Sequence, residues 1–193
     1  MEKQNKVTGV VLAGGLARRM QRADKGLELY RHQPLVVYAL QALVEVADEV
    51  LINANRNIER YQAFGYPVIT DLNDRFQGPL AGILAAMTVS TGNTLLVLPC
   101  DSPFIQARHL RKLLDSLNES GADAAVAFDG ERLHPVFLAL KIKLKGSLQQ
   151  YLTAGERKVE RWLRQHNIVR VDFSQEPEAF VNINTLTDLQ RLH

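Results

Sequence analysis

Two adjacent glycines and two cations stand close together near the start of the chain. Gly14 and Gly15 precede Arg19 and Lys25. Adjacent glycines let the backbone turn sharply, and the N–H groups of such a turn can converge on an anion. Arg grips phosphate oxygens with a planar fork, and Lys adds a mobile point charge. The combination suits a triphosphate on which charge develops during reaction, although two glycines alone are also typical of a plain tight turn.

Two other nucleotide-binding patterns are absent from this loop. The dinucleotide pattern G-x-G-x-x-G requires spaced glycines, whereas Gly14 and Gly15 are adjacent and no third glycine follows them. The pattern G-x-x-x-x-G-K-[ST] requires Ser or Thr after its lysine, whereas Gly26 follows Lys25. The loop therefore belongs to neither of these classes.

A carboxylate follows the apolar run at residues 95–98. Asp101 comes two residues after Pro99, where a buried parallel strand would end. Mg²⁺ binds to one or two carboxylates together with phosphate oxygens and water, so one aspartate is enough. We predict that Asp101 holds Mg²⁺ beside the phosphate loop. The alternative is that Asp101 caps the helix that begins near Ala107.

Asn53 and Asp71 follow two further predicted strands. The carboxyl ends of parallel strands meet at one edge of a sheet, which is where ligands bind in open α/β proteins. Carboxylate and amide groups can pair with N1–H and N2–H₂ of guanine, and such sites reject bases that leave buried polar groups unpaired. Taken alone, the two residues are also typical of turns.

The segment from Leu12 to Lys25 resembles the L-A-G-G-x-x-x-R-M-G-x-x-D-K loop of molybdenum cofactor guanylyltransferases, with Gln21 where the family has glycine. The resemblance covers nearly the whole chain and includes G-P-L-A-G at residues 78–82 and F-V-N-I-N-T at residues 180–185. It implies a nucleotidyltransferase in which Arg19, Lys25 and Asp101 are catalytic. The resemblance and the glycine loop together assign the following residues to nucleotide binding: Leu12, Ala13, Gly14, Gly15, Lys25, Asn53, Asp71 and Asp101.

The resemblance also implies an acceptor-binding face in the second half of the chain. Arg157 and Lys158 would meet an anionic pterin phosphate, and Asn182 and Asn184 offer donors and acceptors to the pterin ring. His134, which precedes Pro135, completes this set. Taken alone, these residues are also typical of a solvated surface and of turns.

The function that the resemblance implies is transfer of GMP from GTP to the phosphate of molybdopterin, with release of pyrophosphate. Mg²⁺ is the expected cofactor, and proteins that deliver or receive the molybdenum cofactor are possible partners. Three alternatives stay open: cytidylyl transfer to the same cofactor, nucleotidyl transfer to a sugar 1-phosphate, and non-catalytic carriage of a nucleotide or pterin. A related group of enzymes, which transfers cytidylyl, has the loop L-A-A-G. Because this chain has Gly14 and Gly15 after a single alanine, its loop favours the guanylyl branch.

Alternating strands and helices must position these residues. Predicted strands, identified by short apolar or β-branched runs, span residues 7–12, 50–54, 67–70, 94–98, 124–128, 135–140, 168–173 and 180–183. Predicted helices span residues 34–47, 79–89, 107–117 and 185–192.

We predict one α/β domain over residues 1–193, with a mostly parallel sheet and helices on both faces. The resemblance implies that this fold is Rossmann-like. Antiparallel or mixed strands are expected in the C-terminal half. The nucleotide-binding half would span about residues 1–120 and the acceptor-binding half about residues 121–193.

Composition excludes several other classes of protein. The net charge of +2 and the absence of a Lys/Arg run argue against nucleic acid as a partner. Cys100 is the only cysteine, which argues against a disulfide framework and favours a reducing compartment. The first apolar run is too short for a signal peptide or a membrane span. We therefore expect a cytoplasmic protein without a membrane partner.

Overall fold

The apolar runs of the sequence form strands of a seven-stranded sheet, alongside a separate two-stranded hairpin. The computed structural model describes residues 5–13, 24–72 and 78–183. The strands in these ranges are β1 (Val7–Leu12), β2 (Leu29–Tyr30), β3 (Gln33–Pro34), β4 (Glu49–Asn53), β5 (Val68–Ile69), β6 (Thr94–Pro99), β7 (Ala124–Phe128), β8 (Leu133–Lys141) and β9 (Ile168–Asp172). The α-helices in the same ranges are α1 (Leu35–Val44), α2 (Ile58–Gln62), α3 (Pro79–Val89), α4 (Ala107–Ser120), α5 (Lys145–Thr153) and α6 (Val159–Leu163).

The large sheet has the strand order β5-β4-β1-β6-β8-β7-β9. Strands β5, β4, β1 and β6 are parallel, and β8 runs antiparallel to both β6 and β7. Strand β9 is parallel to β7. The sheet is therefore mostly parallel with antiparallel pairs in its C-terminal half, which confirms the predicted fold class. Because β8 is reversed, its first residues lie at the same edge as the carboxyl ends of β6 and β7.

Helices cover both faces of this sheet, as predicted. Adjacent residues of a strand point to opposite faces, and accordingly Val11 packs into one apolar cluster and Val10 into the other. The first cluster includes apolar side chains of α1 and α4, and the second includes those of α3, α5 and α6. Helix α3 is buried at every residue from Leu80 to Met87, as its nearly continuous apolar sequence predicted.

One predicted strand is wrong. Residues 180–183 were expected to be extended and paired, but a 3-10 turn spans Pro177–Phe180 and no strand follows it up to Ile183. The reason is the side chain of Phe180, which packs against His134, Phe137 and Phe173 instead of joining a ladder. Burial of the ring is worth more than the few ladder hydrogen bonds of so short a strand.

The sequence analysis also missed the hairpin of β2 and β3 and the helices α2 and α5, and it gave no span for α6. The predicted last helix, residues 185–192, lies outside the described residues. Within the described parts of the chain, none of the helices is both long enough and apolar enough to cross a lipid bilayer.

Candidate active site

The candidate site lies at the sheet edge where β1, β4, β5 and β6 end. The register aligns Leu12 with Asn53 on one side and with Pro99 on the other. Two further backbone bonds extend this alignment: Ala13 N–H donates to the Asn53 carbonyl at 2.8 Å, and Cys100 N–H donates to the Leu12 carbonyl at 3.2 Å. The alignment therefore brings the predicted nucleotide-binding residues Leu12, Ala13 and Asn53 to one edge, close to the end of β6.

Lys25 and Asp101 meet at this edge. Lys25 Nζ lies 3.1 Å from Asp101 Oδ2, and the two side chains are 23% and 13% exposed. Asp101 Oδ1 is buried and accepts no hydrogen bond from the described residues. A buried acceptor without a partner costs about 1–3 kcal/mol, so this oxygen is suited to binding a cation. Asp101 does not cap α4, because that helix is capped by Gln106.

Asn53 and Asp71 also come together, as predicted from their positions after β4 and β5. Asn53 Nδ2 donates to Asp71 Oδ1 at 3.0 Å. The sequence analysis missed a second amide: Asn55 Nδ2 donates to Asp71 Oδ2 at 2.9 Å, and Asn55 Oδ1 accepts from the Asp71 N–H at 2.9 Å. Both oxygens of the Asp71 carboxylate are therefore held by amides, which fixes the direction of their remaining lone pairs.

Gly82 allows Asn53 to lie against the first turns of α3. A Cβ atom on Gly82 would stand 2.2 Å from Asn53 Oδ1 and 2.9 Å from Leu12 Cδ2. Any side chain at this position would displace both neighbours. This close packing therefore involves Asn53, which is a predicted site residue.

Asp24 is a second residue that the sequence analysis did not assign to a role. It is 8% exposed and precedes a 3-10 turn at Lys25–Leu27. Its Oδ1 accepts from Tyr61 Oη at 2.5 Å, and its Oδ2 accepts from Asn57 Nδ2 at 2.9 Å. Burial raises the pKa of the Tyr61 phenol well above its ordinary value, so the phenol keeps its proton and donates it to Asp24.

His134 lies at the same sheet edge, at the start of β8, and is 8% exposed. Its Nε2 lies 2.6 Å from Asp129 Oδ2, and its ring stacks on Phe180 with a centroid distance of 4.8 Å. Backbone N–H donation from Arg132, followed by the hydrogen bond from His134, holds the pKa of Asp129 well below its usual range. Asp129 is therefore a carboxylate at neutral pH and orients the imidazole.

Asn182 lies beside Asp101, the predicted ligand of Mg²⁺. Its Oδ1 accepts from Ser102 Oγ at 2.6 Å, and the next residue, Ile183, donates its N–H to the Asp101 carbonyl at 2.8 Å. One predicted acceptor residue is thus next to the predicted metal ligand, although the two are far apart in sequence.

Arg157 and Lys158 lie in the connection between α5 and α6. Arg157 Nη1 donates to the Leu152 carbonyl at 2.8 Å and to the Glu156 carbonyl at 2.6 Å, so this side chain braces its own turn. Lys158 is exposed and lines a groove of about 630 Å³ that also contacts Pro135, the neighbour of His134. The groove therefore connects Lys158 with the first residues of β8.

The remaining predicted site residues, Gly14, Gly15, Arg19 and Asn184, lie outside the described residues and stay predictions. Within residues 5–13, 24–72 and 78–183, no group of three or more His, Cys, Asp or Glu residues is placed to hold a metal ion. A site for Mg²⁺ in this part of the protein would consequently use at most two of these side chains and take its other ligands from substrate and water.

Polar side chains at the carboxyl ends of adjacent parallel strands define the class of open α/β nucleotide-binding proteins. Comparison with protein families agrees, since residues 9–171 match the MobA-like NTP transferase domain. The protein named molybdenum cofactor guanylyltransferase from Shewanella sediminis is 46% identical over 186 residues, covering 96% of this chain and 95% of that protein. The protein of the same name from Pasteurella multocida is 46% identical over 183 residues, covering 95% and 97%.

The chain therefore belongs to the molybdenum cofactor guanylyltransferase family of MobA-like nucleotidyltransferases. Its fold is shared with solved structures. The structure of molybdopterin-guanine dinucleotide biosynthesis protein A from Archaeoglobus fulgidus aligns with a TM-score of 0.79 and 23% identity, covering 95% of each chain. The nucleotidyltransferase class implied by the resemblance of residues 12–25 is thus confirmed.

Proposed function

We propose that this enzyme transfers GMP from GTP to the terminal phosphate of molybdopterin and releases pyrophosphate. The family membership and the names of its relatives support the reaction class. The observation that carries the proposal is the pair of Lys25 and Asp101 at the edge of the sheet. One oxygen of that carboxylate is buried and has no hydrogen-bond partner within residues 5–13, 24–72 and 78–183. A cation beside such a carboxylate is suited to binding a nucleoside triphosphate.

The reaction needs alignment and charge stabilisation more than proton transfer. An oxygen of the molybdopterin phosphate attacks the α-phosphorus of GTP and forms a new P–O bond. The bond from that phosphorus to the bridging oxygen of the β-phosphate breaks, and its electron pair leaves with pyrophosphate. The nucleophile is already an anion, so no general base is required. We infer that Lys25 and Arg19 stabilise the charge that develops on the leaving pyrophosphate.

Asp101 is the residue that would hold Mg²⁺. The fit rests on its buried Oδ1, which lacks a hydrogen-bond partner in the described part of the chain, and on the oxygen ligands that Mg²⁺ prefers. When bound, Mg²⁺ neutralises charge on the phosphate oxygens. The ammonium group of Lys25 is a second positive charge beside the same carboxylate. The ammonium group and Mg²⁺ would therefore both face the triphosphate.

We propose that Asp71 recognises the guanine base of GTP. A carboxylate accepts two hydrogen bonds, which matches the adjacent N1–H and N2–H₂ donors of guanine. Asn53 and Asn55 hold the carboxylate in one orientation. Cytosine lacks this pair of adjacent donors, so it would leave the carboxylate incompletely paired.

We propose that the acceptor lies on the side of β8 and the C-terminal segment. Asn182 next to Asp101, and His134 at the same edge, support this position. Lys158, Arg157 and Asn184 are further candidates for contacts with the pterin and its phosphate. Proteins that deliver molybdopterin or receive the product would approach the same side, since a labile cofactor is better handed over than released.

The test is release of pyrophosphate from purified protein with molybdopterin and Mg²⁺, comparing GTP with CTP. Release with GTP alone is expected. Release with CTP alone would overturn the assignment of Asp71 and Asn53 to guanine while preserving the reaction class. Binding of GTP without pyrophosphate release from either nucleotide would indicate the non-catalytic carrier. A reaction without added Mg²⁺, in the presence of a chelator, would contradict the assignment of the metal.

A further inference from the structure

A buried hydrogen-bonded group stands directly behind Lys25. It consists of Asp24, Tyr61 and Asn57, and both oxygens of the Asp24 carboxylate are used within it. Tyr61 is fully buried, and it comes from helix α2, which follows β4. The Asp24 carboxylate therefore faces the protein interior, whereas the side chain of the next residue, Lys25, extends to Asp101.

The turn that carries Lys25 is in direct contact with the Tyr61 ring. A Cβ atom on Gly26 would stand 2.5 Å from Tyr61 Oη, so the backbone at Gly26 approaches the phenol as closely as glycine permits. The Leu27 N–H donates to the Asp24 carbonyl at 3.0 Å and closes the turn. Tyr61 thus contacts the turn on both sides of Lys25, through Asp24 before it and Gly26 after it.

We propose that Tyr61 is a positioning residue for Lys25: by fixing Asp24 and Gly26, it sets the point from which the lysine side chain reaches the phosphates. The inference rests on the proposed function, because the phosphates are those of the nucleotide substrate. Tyr61 does not touch the substrate, and its effect passes through Lys25 alone.

The expected effect is on rate more than on binding. A flexible lysine can still find a bound triphosphate, but stabilising the leaving group requires a fixed position in the transition state. Loss of the Tyr61 hydroxyl leaves the ring in place and removes the bond to Asp24. We expect Tyr61→Phe to lower kcat by about tenfold while the KM for GTP changes by less than about threefold, as for an interaction made mainly in the transition state.

The first test is a double-mutant cycle with Lys25→Ala, measured by pyrophosphate release. If Tyr61 acts through Lys25, Tyr61→Phe has little further effect in the Lys25→Ala protein. The same fold loss in both backgrounds would overturn the proposal. Tyr38→Phe is the matched control, because its hydroxyl also donates one hydrogen bond, to the Tyr30 carbonyl at 2.7 Å, and we expect it to leave kcat unchanged.

The second test does not depend on activity. Limited acetylation of the nucleotide-free protein, read by peptide mass spectrometry, measures how firmly Lys25 is held to Asp101, with exposed Lys158 as the internal reference. We expect Tyr61→Phe to raise the acetylation rate of Lys25 several-fold relative to Lys158. An unchanged ratio would overturn the proposal. An altered ratio in a protein that turns over no nucleotide would preserve the positioning role and refute the proposed function.

If Tyr61→Phe fails to fold, Asn57→Gly replaces it in both tests. Asn57 has a φ of 50°, which glycine adopts without strain, so this variant removes the second donor to Asp24 and keeps the turn. A faster acetylation of Lys25 supports the proposal, and an unchanged rate contradicts it.

Discussion

Asp101 places its two carboxylate oxygens in different environments. Oδ2 faces Lys25 at 3.1 Å, whereas Oδ1 is buried and none of the residues that the structure describes donates a hydrogen bond to it. An amide at this position keeps the shape of the side chain but removes the negative charge. We expect Asp101→Asn to lower pyrophosphate release at least about 100-fold, in the range typical of a lost electrostatic contact to a transition state.

Unfolding by urea is the companion measurement, since Asp101→Asn should leave the protein folded. Asp115→Asn is the control, because Asp115 is an exposed aspartate on α4. Turnover by Asp101→Asn close to that of the control would contradict the assignment of Asp101 to the metal.

Asn55 fixes Asp71 through two hydrogen bonds of 2.9 Å. Removing them leaves the carboxylate held only by Asn53. We expect Asn55→Ala to lower kcat/KM for GTP by about tenfold, because fixing a more mobile carboxylate against guanine costs more conformational entropy. Steady-state kinetics with GTP and CTP check this, with Asn118→Ala as a control for loss of an exposed amide pair. An equal loss with both nucleotides would argue against base reading.

Single residues were predictable where a strand end positions them and not where a distant partner does. Four site residues follow recognisable apolar runs or belong to the glycine loop, so their common position at one edge of the sheet could be predicted. They are Lys25, Asp101, Asn53 and Asp71. Tyr61 gave no such signal. It bonds to Asp24 across 37 positions, and only the packing of α2 against the turn at Lys25 reveals the pair.

The segment from Glu176 to Ile183 is held at both of its ends. Glu176 Oε2 pairs with Arg108 and lies 3.0 Å from His109 Nε2, on helix α4. At the other end, Asn182 bonds to Ser102 and Ile183 to Asp101. The salt bridge at Glu176 therefore anchors the segment that brings Asn182 to the site.

Hydrogen bonds from Arg108 and then His109 lower the pKa of Glu176 from 4.5 to about 2. A depressed pKa in the folded state contributes stability that is present above the unfolded pKa and is lost as the pH falls through the folded pKa. We expect the urea midpoint of the wild-type protein to fall more steeply between pH 4.5 and pH 2 than that of Glu176→Gln. Parallel curves for the two proteins would show that Glu176 contributes nothing to this anchor.

Elements with strong periodicity or continuous apolar runs were predictable, and short elements held by tertiary contacts were not. The spans of β1, α3 and β7 match their predicted ranges. The error at residues 180–183 arose because a short, mostly apolar run also fits a loop in which the Phe180 ring packs into an aromatic cluster. Helices α2 and α6, with five residues each, are too short for their periodicity to be read from sequence.

At the scale of the molecule, strands β6 and β8 join the two predicted halves of the chain. They pair over Thr94 to Val97, and one apolar cluster includes residues from β1, α1, β7 and β9. That continuity supports the prediction of one domain over residues 1–193, which a folding experiment can test.

We expect urea unfolding followed by tryptophan fluorescence to coincide with unfolding followed by far-UV circular dichroism. Trp162 is the only tryptophan, and it is fully buried in the cluster of α3, α5 and α6. Its fluorescence therefore reports the C-terminal half, whereas the dichroism reports the whole chain. Two separate midpoints would indicate two independently folding units.

The contact of Lys25 with Asp101 makes the two ligands of this site partners in binding. Lys25 lies 3.1 Å from Asp101 Oδ2, so a triphosphate that attracts Lys25 leaves more negative charge on the carboxylate for a divalent cation at Oδ1. A cation at Oδ1 in turn weakens the hold of Asp101 on Lys25 and favours its contact with the phosphates. Each ligand must then raise the affinity for the other by the same factor, as reciprocity requires. We expect the nucleotide-free protein to bind Mg²⁺ weakly. The site would then be loaded mainly when the nucleotide and the ion are present together.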